Sequence, residues 1–223
     1  MLNTVYIGFD KVEEVAYHTL VSSIMRHASR PVRVIALDRD KMDFCHNREK
    51  DPKQSNGFTY IRFLAPYLEN YEGWSLFMDS DMILRDDINK LFDLADDQHD
   101  VMCVQHPDYV SKMDSKYLGA KQYNYPRKNW SSVMLFNNAK CRKLTPEYVD
   151  TASPADLHRM HWAENIGALP KEWNHLVGEQ TENPEAKIVH YTLGTPCWER
   201  FRHCEFGDEW MENRQQVNWY LPE

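Results

Sequence analysis

Two carboxylates one residue apart, Asp79 and Asp81, interrupt the apolar run Leu76-Phe77-Met78-Asp79-Ser80-Asp81-Met82-Ile83-Leu84. Such a run reads as a buried strand, and a strand interior does not bury charge without compensation. The conflict resolves if both acids stand at the carboxyl end of the strand, where a divalent cation neutralises them. Ligands of open α/β sheets bind at that same end. The pattern therefore points to a metal-bound, phosphate-containing substrate. Alone it is weak evidence, because 18 Asp in 223 residues produce about one or two Asp-x-Asp triplets by chance. A second triplet, Asp38-Arg39-Asp40, follows Val34-Ile35-Ala36-Leu37. There Arg39 and Lys41 stand ready to neutralise the acids, so a solvated loop is expected. The pair Asp79 and Asp81 meets no basic neighbour before Arg85.

The elements that must position these acids are legible in outline. Thr4 to Phe9 is an apolar strand pattern ending in Gly8-Phe9-Asp10. Val12, Val15, Ala16, Thr19, Leu20, Ser23, Ile24 and His27 then recur at helical spacing, and Pro31 closes that helix. Val32 to Leu37 is a second strand. A β-α-β opening implies a parallel sheet with a right-handed crossover. Asp38 to Gly57 reads as a long polar loop, and Phe58 to Glu69 as a helix despite Pro66. Asp87 to Leu94 reads as a short helix. Val101 to Val104, Ser132 to Phe136 and Ala186 to His190 read as further strands. Pro107 to Asn129, rich in Tyr and Lys, reads as an excursion over the active face. No repeat or low-complexity linker divides the chain, and one domain of residues 1–223 is expected.

Composition excludes several classes. A net charge of −8 disfavours nonspecific nucleic-acid binding and leaves no polybasic membrane patch. No segment has the length of a membrane-spanning helix, and the first residues lack a signal-peptide pattern. Five scattered cysteines suit reduced thiols, so a cytoplasmic location is expected. Cys197, His203 and Cys204 fit no common zinc spacing.

Taken in order, these segments resemble a known family. The β-α-β start is followed by Phe58-Thr59-Tyr60-Ile61-Arg62-Phe63, then the Asp79-Ser80-Asp81 run. Ser131-Ser132-Val133-Met134-Leu135-Phe136-Asn137 and Val189-His190-Tyr191-Thr192-Leu193-Gly194-Thr195-Pro196-Cys197-Trp198 complete the series. The chain is similar, from about Thr4 to Trp198, to the family 8 glycosyltransferases, which include glycogenin and bacterial lipooligosaccharide galactosyltransferases. The resemblance implies an α/β fold of GT-A type, a Rossmann-like domain with a mixed, mostly parallel sheet. A nucleotide-binding part would occupy about residues 1–105 and an acceptor-side part about 106–223. It implies transfer of a sugar from a nucleotide-diphospho-sugar, most often a UDP-sugar, to a glycan or other hydroxyl acceptor, with retention of configuration. By the same resemblance Asp79, Asp81 and His190 hold the metal. Two carboxylates and an imidazole suit Mn²⁺ better than Ca²⁺, with Mg²⁺ as the alternative.

The resemblance further implies that Arg62 faces the donor sugar and the acidic pair, the other reading being a surface cation. Asp10, with Phe9 beside it, would contact the nucleotide, a role compatible with capping the helix that follows. Ser80 and Gly194 complete the expected donor contacts. Tyr17 is expected in the core. The departures fall at the reaction centre. The family's Lys after the His-Tyr stretch is absent, leaving Arg200, Arg202 or the amides around Gly194 to meet the diphosphate. Its Asp-Gln-Asp is replaced by His161-Trp162-Ala163-Glu164-Asn165-Ile166-Gly167. Glu164, or His161, is the expected polar group near the anomeric carbon, and Glu164 is the one candidate carboxylate nucleophile. Two other functions share the pattern: a noncatalytic nucleotide-sugar-binding module, and a nucleotidyltransferase that makes nucleotide sugars. The second needs a Gly-rich basic first loop, whereas Gly8-Phe9-Asp10-Lys11-Val12-Glu13-Glu14 carries one Gly and three acids.

Overall fold

A computed structural model describes residues 2–49, 54, 56–106, 110–111 and 125–217. Most of the expected Pro107 to Asn129 excursion lies outside the described residues. The strands are β1 (Asn3–Phe9), β2 (Val32–Asp38), β3 (Trp74–Met78), β4 (Met82–Leu84), β5 (Val101–Cys103), β6 (Val133–Asn137), β7 (Ile166–Ala168), β8 (His175–Leu176) and β9 (Ile188–His190). The α-helices are α1 (Glu14–His27), α2 (Ala65–Leu68), α3 (Ile88–Phe92), α4 (Pro146–Thr151), α5 (Pro154–His158) and α6 (Gly207–Val217).

Six strands form a sheet in the order β2-β1-β3-β6-β5-β7, in which β6 alone runs against the others. The mixed, mostly parallel α/β sheet is as expected. On one face Tyr6, Phe77, Met134 and Phe136 pack with Phe58, Phe63 and Leu64 and with Val149, Leu157 and Trp162 around α4 and α5. On the other, Ile7, Leu76, Met78 and Leu135 pack with Leu20 and Ile24 of α1 and with Leu84 and Ile188 of a second sheet. That second sheet runs β4-β9-β8, and Trp210 of α6 covers its outer side. Within α1 the buried stripe is Ala16, Thr19, Leu20, Ser23 and Ile24; Val15 is exposed although it continues the spacing.

Two local differences from the sequence reading matter. The apolar run around Asp79 is not one strand. It ends β3 at Met78 and resumes as β4 in the other sheet, so Asp79, Ser80 and Asp81 form the crossover between sheets. Phe58 to Glu69 is not one helix: Ile61–Leu64 is a 3₁₀ turn and α2 begins beside Pro66, where a missing N–H costs nothing. Gly8 is required by packing, since a Cβ there would stand 2.3 Å from the Phe58 ring.

Candidate active site

The crossover between the two sheets brings together residues distant in the chain. Asp79 leaves β3 with its N–H bonded to the Ser132 carbonyl, 2.9 Å. Asp81 precedes β4, and its carbonyl accepts from Tyr191 N–H, 2.8 Å. Because β4 pairs antiparallel with β9, with Met82 opposite His190, the imidazole lands beside the acids. One ligand atom from each of Asp79, Asp81 and His190 lies within 4.8 Å of the others, the one such group among the described residues.

The orientation of the His190 ring follows from its neighbours. The amide nitrogen of Asn174 donates to Ser132 Oγ at 2.9 Å and to the Asn129 carbonyl at 3.4 Å. Its Oδ1 therefore faces His190 Nδ1, 3.0 Å away, and accepts a hydrogen bond from it. Nε2 is turned to Asp81 Oδ1, 3.3 Å distant, and a proton or a metal cation between them would satisfy both. Oxygen, oxygen and imidazole nitrogen, with the second ring nitrogen fixed by an amide, form a donor set that could hold a divalent cation.

Arg62 is buried, not a surface cation. Its guanidinium meets Asp79 Oδ1 at 2.8 Å, donates to the Ser131 carbonyl at 2.8 Å and to the Thr59 carbonyl at 3.1 Å, and lies over the Phe77 ring. Ser131 is in turn joined to His158, whose pKa is pushed down to about 3 by burial and then by Arg62 and Arg48. Asp10 uses both carboxylate oxygens, one capping the 3₁₀ turn at Val12 N–H and one on Gly57 N–H. Phe9 stands edge-on to Tyr17, which is half-buried rather than wholly core. The side chain of Ser80 is fully buried. Gly194, at φ +147°, gives its N–H to the Tyr191 carbonyl. Arg200 lies over its neighbour Phe201, and Arg202 is turned to Met211 of α6.

Glu164 does not join this group. Val101 of β5 pairs with Ile166 of β7, so Glu164 precedes the amino end of a strand parallel to β3, whereas Asp79 follows the carboxyl end of β3. Glu164 is exposed and its N–H is held by the Asp100 carboxylate, 2.8 Å. His161 is exposed and bonded to Asp156 of α5. The expectation of Glu164 near the reacting carbon is corrected: proximity in sequence to the replaced motif put it there, and strand direction takes it to the other end of the sheet. Sequence reasoning gave no role to Asn174 or to His106, which follows β5. Each lies in an irregular segment, and only the tertiary contacts reveal it.

No protein-family model matches the chain. It is 39% identical over 225 residues to Protein CDI of Arabidopsis thaliana, covering 96% of this chain and 86% of that protein. Among solved structures, the bifunctional glycosyltransferase WbbM in its apo form superposes with a TM-score of 0.64 at 18% identity, covering 97% of this chain and 51% of that one. The glycosyltransferase GlyE of Streptococcus pneumoniae TIGR4 gives 0.62 at 17%, covering 96% and 61%. The galactosyltransferase LgtC, in complex with donor and acceptor sugar analogues, gives 0.59 at 12%, covering 99% and 98%. The chain thus spans about half of the WbbM structure and less than two thirds of GlyE. The fold is the GT-A fold of these glycosyltransferases, and the chain belongs to the family of the Arabidopsis Protein CDI.

Proposed function

We propose that the protein is a metal-dependent, hexosyltransferase-type glycosyltransferase. It takes a sugar from a nucleotide-diphospho-sugar, a UDP-sugar by preference, and passes it to an acceptor hydroxyl with retention. The single observation that carries the reading is the convergence of Asp79, Asp81 and His190 at the sheet crossover, with His190 Nε2 turned toward the acids. These three residues would hold Mn²⁺, or Mg²⁺ in its place. When bound, the ion supplies Lewis-acid stabilisation of the charge that grows on the departing diphosphate.

The chain's own residues do the rest. Asn174 holds the His190 ring in its ligand tautomer. Arg62 fixes the Asp79 carboxylate and brings positive charge to the donor side. Phe9 and Asp10, at the carboxyl end of β1, face the nucleotide, and Gly194, beyond β9, shapes the loop that passes the diphosphate. Residues to about 105 form the nucleotide half and residues from about 106 the acceptor half. The position of Glu164 at the far end of the sheet speaks against a covalent glycosyl-enzyme on that carboxylate. The proposal therefore takes attack from the same face as departure as the retaining route, with the diphosphate oxygen taking the acceptor proton. The described helices include none long and apolar enough to cross a membrane, and a cytoplasmic site of action is part of this proposal.

A thermal-shift panel of UDP, UDP-glucose, UDP-galactose and UDP-N-acetylglucosamine, with Mn²⁺ and with chelator, tests it. Stabilisation by a UDP-sugar that needs Mn²⁺, followed by release of UDP on adding acceptor glycans, is expected. Equal shifts in chelator would remove the metal from the mechanism.

A further inference from the structure

His106 sits three residues beyond the end of β5, buried, with two differently engaged ring nitrogens. Its Nδ1 lies 3.2 Å from Gln180 Nε2. The orientation of that amide is not free. Leu176 N–H points at the other amide atom from 2.9 Å, and a backbone N–H only donates, so that atom is the oxygen. The amide NH₂ therefore faces His106, and Nδ1 must accept. The ring is neutral, and its proton is on Nε2. Nε2 is buried and has no hydrogen-bond partner among the described residues.

A ring so locked has no lone pair at Nε2, so it serves neither as a metal ligand nor as a base there. It is a donor awaiting an oxygen, and a buried N–H without a partner is a cost that a ligand oxygen removes. Burial, the largest cause, lowers its pKa to about 4, which agrees with the neutral ring the geometry requires. Its place in the sheet says which oxygen. Met78 of β3 pairs with Val133 of β6, and Leu135 with Met102 of β5. His106 follows the carboxyl end of β5 and Asp79 that of β3, strands that run parallel on either side of β6, so both stand at the same edge of the sheet. A sugar attached to a diphosphate held at Asp79, Asp81 and His190 would lie along that edge. The partner strand pair is also tied to the site, since Leu176, which orients Gln180, lies opposite His190 in the second sheet.

We propose that His106 donates its Nε2–H to a hydroxyl of the transferred sugar, oriented for that purpose by Gln180. The inference rests on the nucleotide-sugar reading above and adds to it a residue that distinguishes the sugar from the bare nucleotide. Calorimetry with Mn²⁺ compares UDP with the tightest-bound of UDP-glucose, UDP-galactose and UDP-N-acetylglucosamine. His106→Phe keeps the ring volume and removes the donor. It should leave UDP affinity within about twofold and weaken the UDP-sugar about tenfold, the loss of one hydrogen bond. His106→Gln, which restores an N–H, should recover part of that loss. Unchanged UDP-sugar affinity in His106→Phe, beside a wild-type chain that binds it, overturns the inference and leaves the glycosyltransferase reading standing. A wild-type chain that binds none of the three sugars overturns both. A ligand-free check is ¹⁵N NMR of the histidine rings in the wild-type chain. The Nε2–H form of His106 is expected, and an Nδ1–H form or an imidazolium at neutral pH overturns the inference whatever the variants do.

Discussion

The two Asp-x-Asp triplets end up in comparable places and in opposite circumstances. Asp38 closes β2 and Asp79 follows β3, both at the carboxyl edge of the six-stranded sheet. Asp38 and Asp40 find partners close by or on the surface: Asp38 caps its own turn at Asp40 N–H and meets Lys41, and Asp40 meets Lys11. Arg39, expected to neutralise them, instead bonds the Arg48 carbonyl. Asp79 and Asp81 are answered from far along the chain, by buried Arg62 and by His190. The same three-residue pattern is thus a capped turn in one strand end and a candidate metal centre in the other. The difference lies in what tertiary structure places opposite the acids.

The largest expected effect breaks the second triplet. Asp79→Asn or Asp81→Asn should lower transfer about 10³-fold or more, since several kcal/mol of charge stabilisation go with the ion. Turnover that survives in either variant, in chelator, would return this pair to the status of Asp38 and Asp40. The stability effect has a definite sign. Clustered acids alone would make removal of one a relief, but Asp79 is paired with Arg62. Asp79→Ala leaves that guanidinium buried with two carbonyls and an aromatic face, and should cost about 1–3 kcal/mol in urea unfolding without metal.

A smaller effect tests the imidazole. Asn174→Ala frees the His190 ring to rotate and change tautomer, and Mn²⁺ affinity should fall roughly 10- to 100-fold. Calorimetric titration measures it, and unchanged affinity would show that something other than Asn174 sets the ring. Among the described residues no equivalent stands behind Asp38 or Asp40.

The buried histidines around the site give the fold a pH dependence. His106 is lowered from 6.5 to about 4 and His158 to about 3, in each case chiefly by burial. Above pH 6.5 both folded and unfolded chains carry them neutral. As pH falls below 6.5 the unfolded chain takes up protons that the folded chain refuses, so stability is present above that value and lost on acidification. Each histidine contributes a slope of about 1.4 kcal/mol per pH unit between 6.5 and about 4. Urea midpoints at pH 7 and pH 5, in chelator, measure the sum, and His158→Phe should flatten the slope by one proton. An unaltered slope would mean that His158 titrates normally.

Much of this was legible in the residues, and the limits have physical causes. The β-α-β opening and the strands at Val101, Val133 and Ile188 announce themselves as apolar runs. β7 and β8, three and two residues long, carry too few positions for any period to show. The apolar run from Leu76 to Leu84 hides a change of sheet, because apolar residues suit either sheet equally. The acids and His190 were found by type and order. Asn174 and Gln180 act by fixing tautomers, a role that depends on which atom faces which and leaves no mark on spacing. Glu164 failed because strand direction, not distance in sequence, decides which end of the sheet a residue reaches.

The smallest effects belong to the first triplet. Asp38 is nearly buried at 8% exposure, and its carboxylate accepts from Asp40 N–H at 3.1 Å. Asp38→Ala removes a turn cap and should cost about 1 kcal/mol. Asp40 and Lys11 are a solvent-exposed pair at 3.2 Å, screened by water and salt, and Asp40→Asn should change stability by no more than about 0.5 kcal/mol. Neither variant should alter Mn²⁺-supported UDP binding by more than about twofold, because their partners, Lys41 and the exposed Lys11, are not at the sheet crossover. One result would break the contrast: β2 and β1 are paired with Asp38 opposite Phe9, so a nucleotide resting on Phe9 lies one strand from Asp38. If Asp38→Ala weakens UDP binding tenfold while keeping its Mn²⁺ affinity, Asp38 belongs to the nucleotide side of the site. The two triplets would then be two halves of one donor pocket.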